Sequence, residues 1–282
     1  MVRYGAAAWP HAVEPCCAFR LNIVSLADIL PVVASGALIG LVLGLVGGGG
    51  SILAVPLLIY VVGVDSTHEA IGTAAVAVAV NALAGLGGHA RRGNVKWPCA
   101  FTFALAGVVG AAIGAELGKS VDGARLLFLF GLLMVGVGLS MLRKRKRPDD
   151  PGVRLTRRSA PHLLPRLVPI GFGVGLGAGF FGIGGGFLIV PGLMAATAMP
   201  IVAAVGTSLF VVAALGTTTA ISYALSGLVD WALVGLLMAG GAAGAVSGIA
   251  IGRIMAERKS LLERLFAVLV ISVGIYILIG GA

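Results

Sequence analysis

The sequence predicts an all-α polytopic membrane protein made of two inverted-topology helical repeats, with glycine-broken short helices near the midplane of the bilayer. Three observations support this prediction. The 282 residues are 59% hydrophobic and 11% charged, with a mean hydropathy of +1.07, so there are too few polar side chains to cover a water-soluble core. Apolar stretches of membrane length recur along the chain, and the second half repeats the pattern of the first. A soluble enzyme is therefore excluded.

The chain divides into four segments. Residues 1–25 carry prolines and charges that interrupt any signal-peptide core, and we expect a disordered extension there. Residues 26–142 form the first transmembrane repeat, 143–166 a basic cytoplasmic linker and 167–282 the second transmembrane repeat. The apolar stretches lie at about 29–47, 51–64, 69–89, 98–118 and 124–142, and again at about 167–182, 186–199, 200–225, 232–252 and 264–281. The first two stretches of each repeat are either two short spans or one re-entrant hairpin.

The two halves align with a nearly constant offset of 134 to 136 residues. Thr73 pairs with Thr207, and G-G-G-G-S-I-L-A-V-P at 47–56 pairs with G-I-G-G-G-F-L-I-V-P at 182–191. A constant offset over about 100 residues indicates an internal duplication.

Basic residues predict the orientation of the repeats, because short loops rich in Lys and Arg stay on the cytoplasmic side. Sixteen of the 20 lie in three segments, at 90–97, 143–166 and 253–264. The loop at 225–231, which corresponds to 90–97, contains no Lys or Arg. Corresponding loops therefore differ in basic content, which places them on opposite sides of the membrane. This indicates an odd number of crossings per repeat and an inverted topology.

Glycine runs at 47–50 and 182–186 interrupt the helical pattern, and each precedes an apolar stretch that is short for a bilayer. Glycine disfavours helix by about 1 kcal/mol relative to alanine, so we expect unwound segments. Amides freed at the start of half-helices near Ser51 and Phe187 would then face a central anion. The alternative is that these glycines only let helices approach closely. The candidate substrate-binding residues are Gly47, Gly48, Gly49, Gly50, Ser51, Thr73, Gly182, Gly184, Gly185, Gly186, Thr207 and Ser208.

Polar side chains at membrane depth are functional candidates, because their burial in lipid is costly. Thr73 and Thr207 are repeat equivalents that could hydrogen-bond an oxyanion. Asn81 could instead join two helices, and His89 could simply be solvated at the interface. The candidates for gating or coupling are Asn81, His89, Arg91 and Arg92.

Other glycines recur every four residues and so lie on one face of a helix, which predicts close packing between helices. They form three sets: Gly36, Gly40 and Gly44; Gly110, Gly114 and Gly118; and Gly240, Gly244, Gly248 and Gly252.

Other function classes find little support in the sequence. The G-x-G-x-x-G at 177–182 lacks the βαβ setting of a dinucleotide site. A hydrolase built on Ser51 and His89 is disfavoured, because Ser51 is equally suited to cap a helix. The net charge of +9 comes mostly from loops between apolar stretches, so nucleic acid is not an expected partner. Neither catalytic residues, a metal site nor a cofactor is expected.

These motifs resemble those of the sulfite exporter TauE/SafE family of membrane permeases. The resemblance rests on the glycine-rich turns at 47–56 and 182–191, on G-T-S at 206–208 and on G-H-A-R-R-G-N-V-K-W at 88–97. It spans about residues 30–280.

The chain departs from the family pattern in its first half. Lys96 stands before Trp97, whereas the second half has Asp230 at the corresponding place, and Ala74 corresponds to Ser208.

The resemblance implies a secondary transporter that moves a small anion, sulfite or an organosulfonate, across the bacterial cytoplasmic membrane by alternating access. An anion channel is the alternative. The implied partners are a small anionic organosulfur substrate and the lipid bilayer. A second copy of the chain, in a homodimer, is a further candidate partner.

Overall fold

The computed structural model describes residues 26–46, 48–142, 159–182, 186–254 and 259–280, and no strand occurs within these ranges. The extension at 1–25 and most of the predicted linker lie outside them. The helices are α1 (Leu26–Val46), α2 (Ala54–Leu57), α3 (Thr67–Ala90), α4 (Trp97–Lys119), α5 (Gly123–Leu142), α6 (Ala160–Phe180), α7 (Gly186–Thr197), α8 (Ile201–Leu225), α9 (Trp231–Ile254) and α10 (Lys259–Gly280). A 3-10 helix (Gly48–Leu53) precedes α2 and a π-helix (Leu58–Val62) follows it.

Apolar side chains cover the outside of the helical assembly, as a lipid environment requires. Six of the described helices are long and apolar enough to cross a membrane. Leu105 and Val246 are each 71% exposed and Ile279 is 74% exposed. The protein is therefore a multi-pass membrane protein, and the predicted all-α polytopic fold is confirmed.

The helix bounds agree with the apolar stretches except at two helices. α10 begins at Lys259, inside the predicted basic loop at 253–264, rather than near residue 264. The other exception is α6. This helix begins at Ala160, inside the segment that sequence assigned to the linker, rather than near residue 167. The basic character of the predicted linker extends as far as Arg166, but Pro161 lies in the first turn of α6, where its missing N–H has no helical partner to lose.

The first helix of each half packs along the fourth helix of the other half. α1 packs along α9, where a Cβ on Gly40 would overlap the backbone of Gly241. α6 packs along α4 in the same manner, with Gly175 against the backbone of Gly107. Both pairs are parallel, since glycines further along one helix meet residues further along its partner. The predicted close packing is confirmed at the stripe glycines whose Cβ would meet the backbone of a neighbouring helix, which are Gly36, Gly40, Gly110, Gly114, Gly118, Gly240, Gly244 and Gly248.

Corresponding helices of the two halves pack antiparallel. In the α3–α8 pair, Gly85 faces Leu209 while Gly216 faces Ala75 and Ala79. The α5–α10 pair runs the same way, because Gly131 lies near Ile277 and Leu278, whereas Gly138 lies near Ala267 and Ile271. The α3–α8 pair forms the centre of the molecule, because 67% of the membrane-length apolar stretch of each helix is buried. The direction of the halves relative to the membrane stays a prediction.

Candidate functional site

The two glycine-marked segments meet inside the molecule. The 3-10 helix of the first half packs against α7 of the second half, and both also contact the central helix α8. α7 has only 12 residues, and the helical run at 48–62 changes its winding twice. Short helices of opposite halves therefore begin in the interior, where backbone amides at a helix start can bind an anion.

The first segment is wound more tightly than the sequence predicted. Gly48, Gly49 and Gly50 form the first turn of a 3-10 helix rather than an unwound stretch. A Cβ on Gly50 would lie 2.5 Å from the Leu43 amide nitrogen, so glycine permits this turn to rest on the backbone of α1. Gly47 lies outside the described residues.

Ser51 follows this glycine turn and its side chain is fully buried. It lies in the same 3-10 helix, Gly48–Leu53. The structure therefore places Ser51 in the middle of this 3-10 helix, whereas the sequence predicted that a half-helix begins near it.

The second segment begins with a true glycine turn. Gly182 has φ +65, a left-handed conformation that L side chains rarely adopt, and a Cβ there would overlap Ile71 of α3. Gly186 is buried and begins α7. Gly184 and Gly185 lie outside the described residues.

Thr73 and Thr207 hold loops of the opposite half. The Thr73 hydroxyl accepts a hydrogen bond from the Asp230 amide, and the Thr207 hydroxyl accepts one from the Lys96 amide, each at 3.0 Å. Both threonines are fully buried. A hydroxyl that accepts one hydrogen bond can still donate another, so this role is compatible with the predicted contact to an oxyanion.

The glycine before each threonine makes this docking possible. A Cβ on Gly72 would overlap the Leu228 carbonyl oxygen, and one on Gly206 would lie 2.8 Å from the Asn94 carbonyl oxygen. Sequence analysis missed Asn94 and Leu228, although both lie in the repeated G-N-V-K-W and G-L-V-D-W motifs. Their offset of 134 residues is the signal that could have paired them.

The structure does not bring the two threonines together. Gly85 faces Leu209 across the α3–α8 pair, so Thr207 lies roughly level with Gly87. At 1.5 Å per residue, Thr73 and Thr207 are about 20 Å apart along this pair. They therefore lie toward opposite ends of the central helices, and Gly182 of the second glycine-marked segment contacts Ile71 at the Thr73 end.

Ser208 contacts its own helix, whereas Asn81 contacts a different one. The Ser208 hydroxyl donates to the Val205 carbonyl oxygen at 2.8 Å. Asn81 is buried against α9, where a Cβ on Gly241 would overlap its side-chain amide. This contact matches the joining role that sequence left open for Asn81.

His89, Arg91 and Arg92 lie together where α3 ends. The His89 carbonyl oxygen accepts hydrogen bonds from the Arg92 and Asn94 amides. The Nδ1 atom of His89 is buried and has no hydrogen-bond partner among the described residues, whereas Arg91 and Arg92 are exposed. The arginines can thus meet anions in solution, and His89 lies in the last turn of α3, two residues before Arg91.

The fold and the repeated interior segments define a polytopic helical membrane protein whose halves are joined by exchanged helices and loops. The chain matches the sulfite exporter TauE/SafE family over residues 32–277. It belongs to that family and is a membrane transporter, so the family resemblance found in the sequence is confirmed.

Several relatives match over most of their length. A probable membrane transporter protein of Xylella fastidiosa is 44% identical over 255 residues, which cover 90% of this chain and 97% of the relative. The probable membrane transporter protein YunE of Bacillus subtilis is 29% identical, with 85% and 93% covered. A probable membrane transporter protein of Methanocaldococcus jannaschii is 28% identical, with 67% and 69% covered. No solved structure is significantly similar to the chain.

Proposed function

We propose that the protein is a secondary transporter that moves sulfite or a small organosulfonate across the bacterial cytoplasmic membrane by alternating access. One observation supports it most: short helices that follow glycine-marked segments in the two halves pack against each other in the interior. Their amides offer neutral donors for an anion without a buried arginine. The name of the sulfite exporter TauE/SafE family makes sulfite the first substrate to test.

In this proposal the anion contacts the backbone of both segments. The binding residues are Gly47, Gly48, Gly49, Gly50, Ser51, Thr73, Gly182, Gly184, Gly185, Gly186, Thr207 and Ser208. Because the threonines lie toward opposite ends of the α3–α8 pair, we assign each to one of two successive positions of the anion. The glycine-marked segments then bind it between these positions.

Asn81, His89, Arg91 and Arg92 complete the proposal as gating or coupling residues. The exposed Arg91 and Arg92 would attract an anion to the end of the molecule that carries the basic loop. Asn81 contacts α9 at Gly241. A movement of α9 against α3 would therefore shift this buried side chain.

Counterflow in proteoliposomes tests the carrier mechanism. Vesicles preloaded with unlabelled sulfite should transiently accumulate radiolabelled sulfite, because a carrier exchanges its substrate across the membrane, while a channel only equilibrates it. The variants Gly49→Val and Gly185→Val should insert normally and lose this exchange. Gly173→Val is a matched control, since Gly173 has no atom within 4 Å of an added Cβ. Sulfite flux without counterflow would favour an anion channel, and normal exchange in both glycine variants would refute the site.

A further inference from the structure

A polar cluster lies where the C-terminal ends of α4 and α8 meet. The Lys119 ammonium is 2.7 Å from Oε1 of Glu116 and donates to the Ser226 hydroxyl at 3.0 Å. It also reaches the Ser222 carbonyl oxygen at 3.4 Å, and the Ser222 hydroxyl donates to Glu116 at 2.8 Å. One cation therefore connects the ends of two helices that come from different halves.

The two members of the ion pair differ in their exposure. The side chain of Lys119 is 17% exposed and that of Glu116 is 68% exposed. Lys119 is held by partners on α8, whereas an exposed carboxylate gains little from an ion pair in water. An anion that arrives from solution can therefore replace Glu116 on an ammonium that stays in place.

Tyr223 lies beside this cluster, directly after Ser222 in α8. Its side chain is fully buried, and the hydroxyl has no hydrogen-bond partner among the described residues. The Lys119 ammonium is 6.0 Å from the centroid of its ring. A buried hydroxyl without a partner is unfavourable and rare in native proteins. A bound oxyanion would satisfy it, because such an anion accepts several hydrogen bonds.

The internal duplication indicates that the carboxylate is an addition to one half. Shifting Lys119 by 134 residues gives Arg253, so both halves have a cation at this place. The same shift gives Ala250 for Glu116. The second half therefore has the cation of this pair without its acid, which makes Glu116 particular to the α4–α8 end.

We propose that Lys119, Ser226 and Tyr223 form a binding subsite for the transported oxyanion, and that Glu116 occupies Lys119 when no anion is bound. This inference rests on the proposed function, which it extends to a further place along the path. An internal competitor lowers the affinity for the anion at this end and so favours its release there. Lys119 lies at the C-terminal end of α4, whereas the basic loop at 90–97 lies at its N-terminal end.

Three variants and one control test the competition, with sulfite uptake into proteoliposomes as the measurement. Glu116→Gln should lower the apparent KM about two- to fivefold, the range expected for a lost exposed ion pair. Lys119→Met should raise it at least about tenfold, as expected for one charge-assisted hydrogen bond. The double variant should equal Lys119→Met, because Glu116 competes only through Lys119.

Asp122→Asn is the matched control for Glu116→Gln. Asp122 is an exposed acid at the same end of α4, and it accepts hydrogen bonds from the Ala124 and Arg125 amides instead of contacting Lys119. Its KM should stay at the wild-type value. An equal fall in both variants would reduce the effect to general electrostatics and overturn the proposal, as would a double variant that keeps the benefit of Glu116→Gln.

A binding measurement tests whether Tyr223 contacts the anion or only packs in the fold. Sulfite should raise the apparent Tm of the purified full chain in detergent, and Tyr223→Phe should need at least about fivefold more sulfite for the same rise. Without sulfite, this variant should melt at or above the wild-type temperature, because the phenylalanine removes a buried hydroxyl that has no partner. An unchanged sulfite requirement would remove Tyr223 from the subsite. If neither sulfite nor taurine is transported or raises the wild-type Tm, the proposed function itself fails, which is a different outcome from failure of the subsite variants alone.

Discussion

The buried threonines Thr73 and Thr207 join the two halves through single hydrogen bonds to backbone amides. Sequence analysis identified both as repeat equivalents, and it also identified the Trp-containing loops they bind. It could not pair threonine with loop, because the partners are 157 and 111 residues apart. A hydrogen bond at such separation depends on how the helices pack, which residue spacing does not encode.

Replacing Thr207 with Val should destabilise the protein. Val has nearly the same shape, but the Lys96 amide then loses the acceptor that lies 3.0 Å away. A buried donor without a partner costs about 1–3 kcal/mol, so the apparent Tm of the purified protein should fall. Thr207→Ser keeps the acceptor and should melt near wild type. Equal melting of wild type, Thr207→Val and Thr207→Ser would contradict the joining role.

At the scale of elements, the positions of most helices follow from apolar length, but their winding does not. The glycines at 48–50 were expected to be unwound because glycine is a poor helix former. They wind into a 3-10 helix because the missing Cβ atoms let the turn rest on α1, where Leu43 lies against Gly50. The early start of α6 has a different origin, since the predicted basic linker extends to Arg166, whereas Pro161 is tolerated in the first turn of the helix.

Two glycines on α6 should respond oppositely to a single added methyl group. A Cβ on Gly175 would overlap the backbone of Gly107 in α4, whereas one on Gly173 meets no atom within 4 Å. Gly175→Ala should therefore separate α4 and α6 and lower the apparent Tm. Gly173→Ala should leave it unchanged or raise it, because alanine favours helix by about 1 kcal/mol. Thermal unfolding of both variants in detergent measures the difference, and a stable Gly175→Ala would show that this close contact is dispensable.

At the scale of the whole molecule, the duplication in sequence corresponds to a set of paired contacts. α3 lies antiparallel to α8 and α5 to α10, while α1 and α6 each run parallel to the fourth helix of the other half. Composition and offset predicted helices and two related halves. They could not predict the exchange of helices, because α1 and α9 are both apolar and glycine-rich and would match several partners equally well.

The account depends most on the opposite orientation of the two halves in the membrane. Arg91 and Leu225 are related by the 134-residue offset, and both are exposed, Leu225 by 85%. Each can be replaced by Cys in a chain whose own cysteines are changed to Ser. An impermeant maleimide added to intact bacterial cells should label Leu225→Cys from outside, whereas Arg91→Cys should require permeabilised cells. Labelling of both positions from the same side would contradict the inverted arrangement and the transport path built on it.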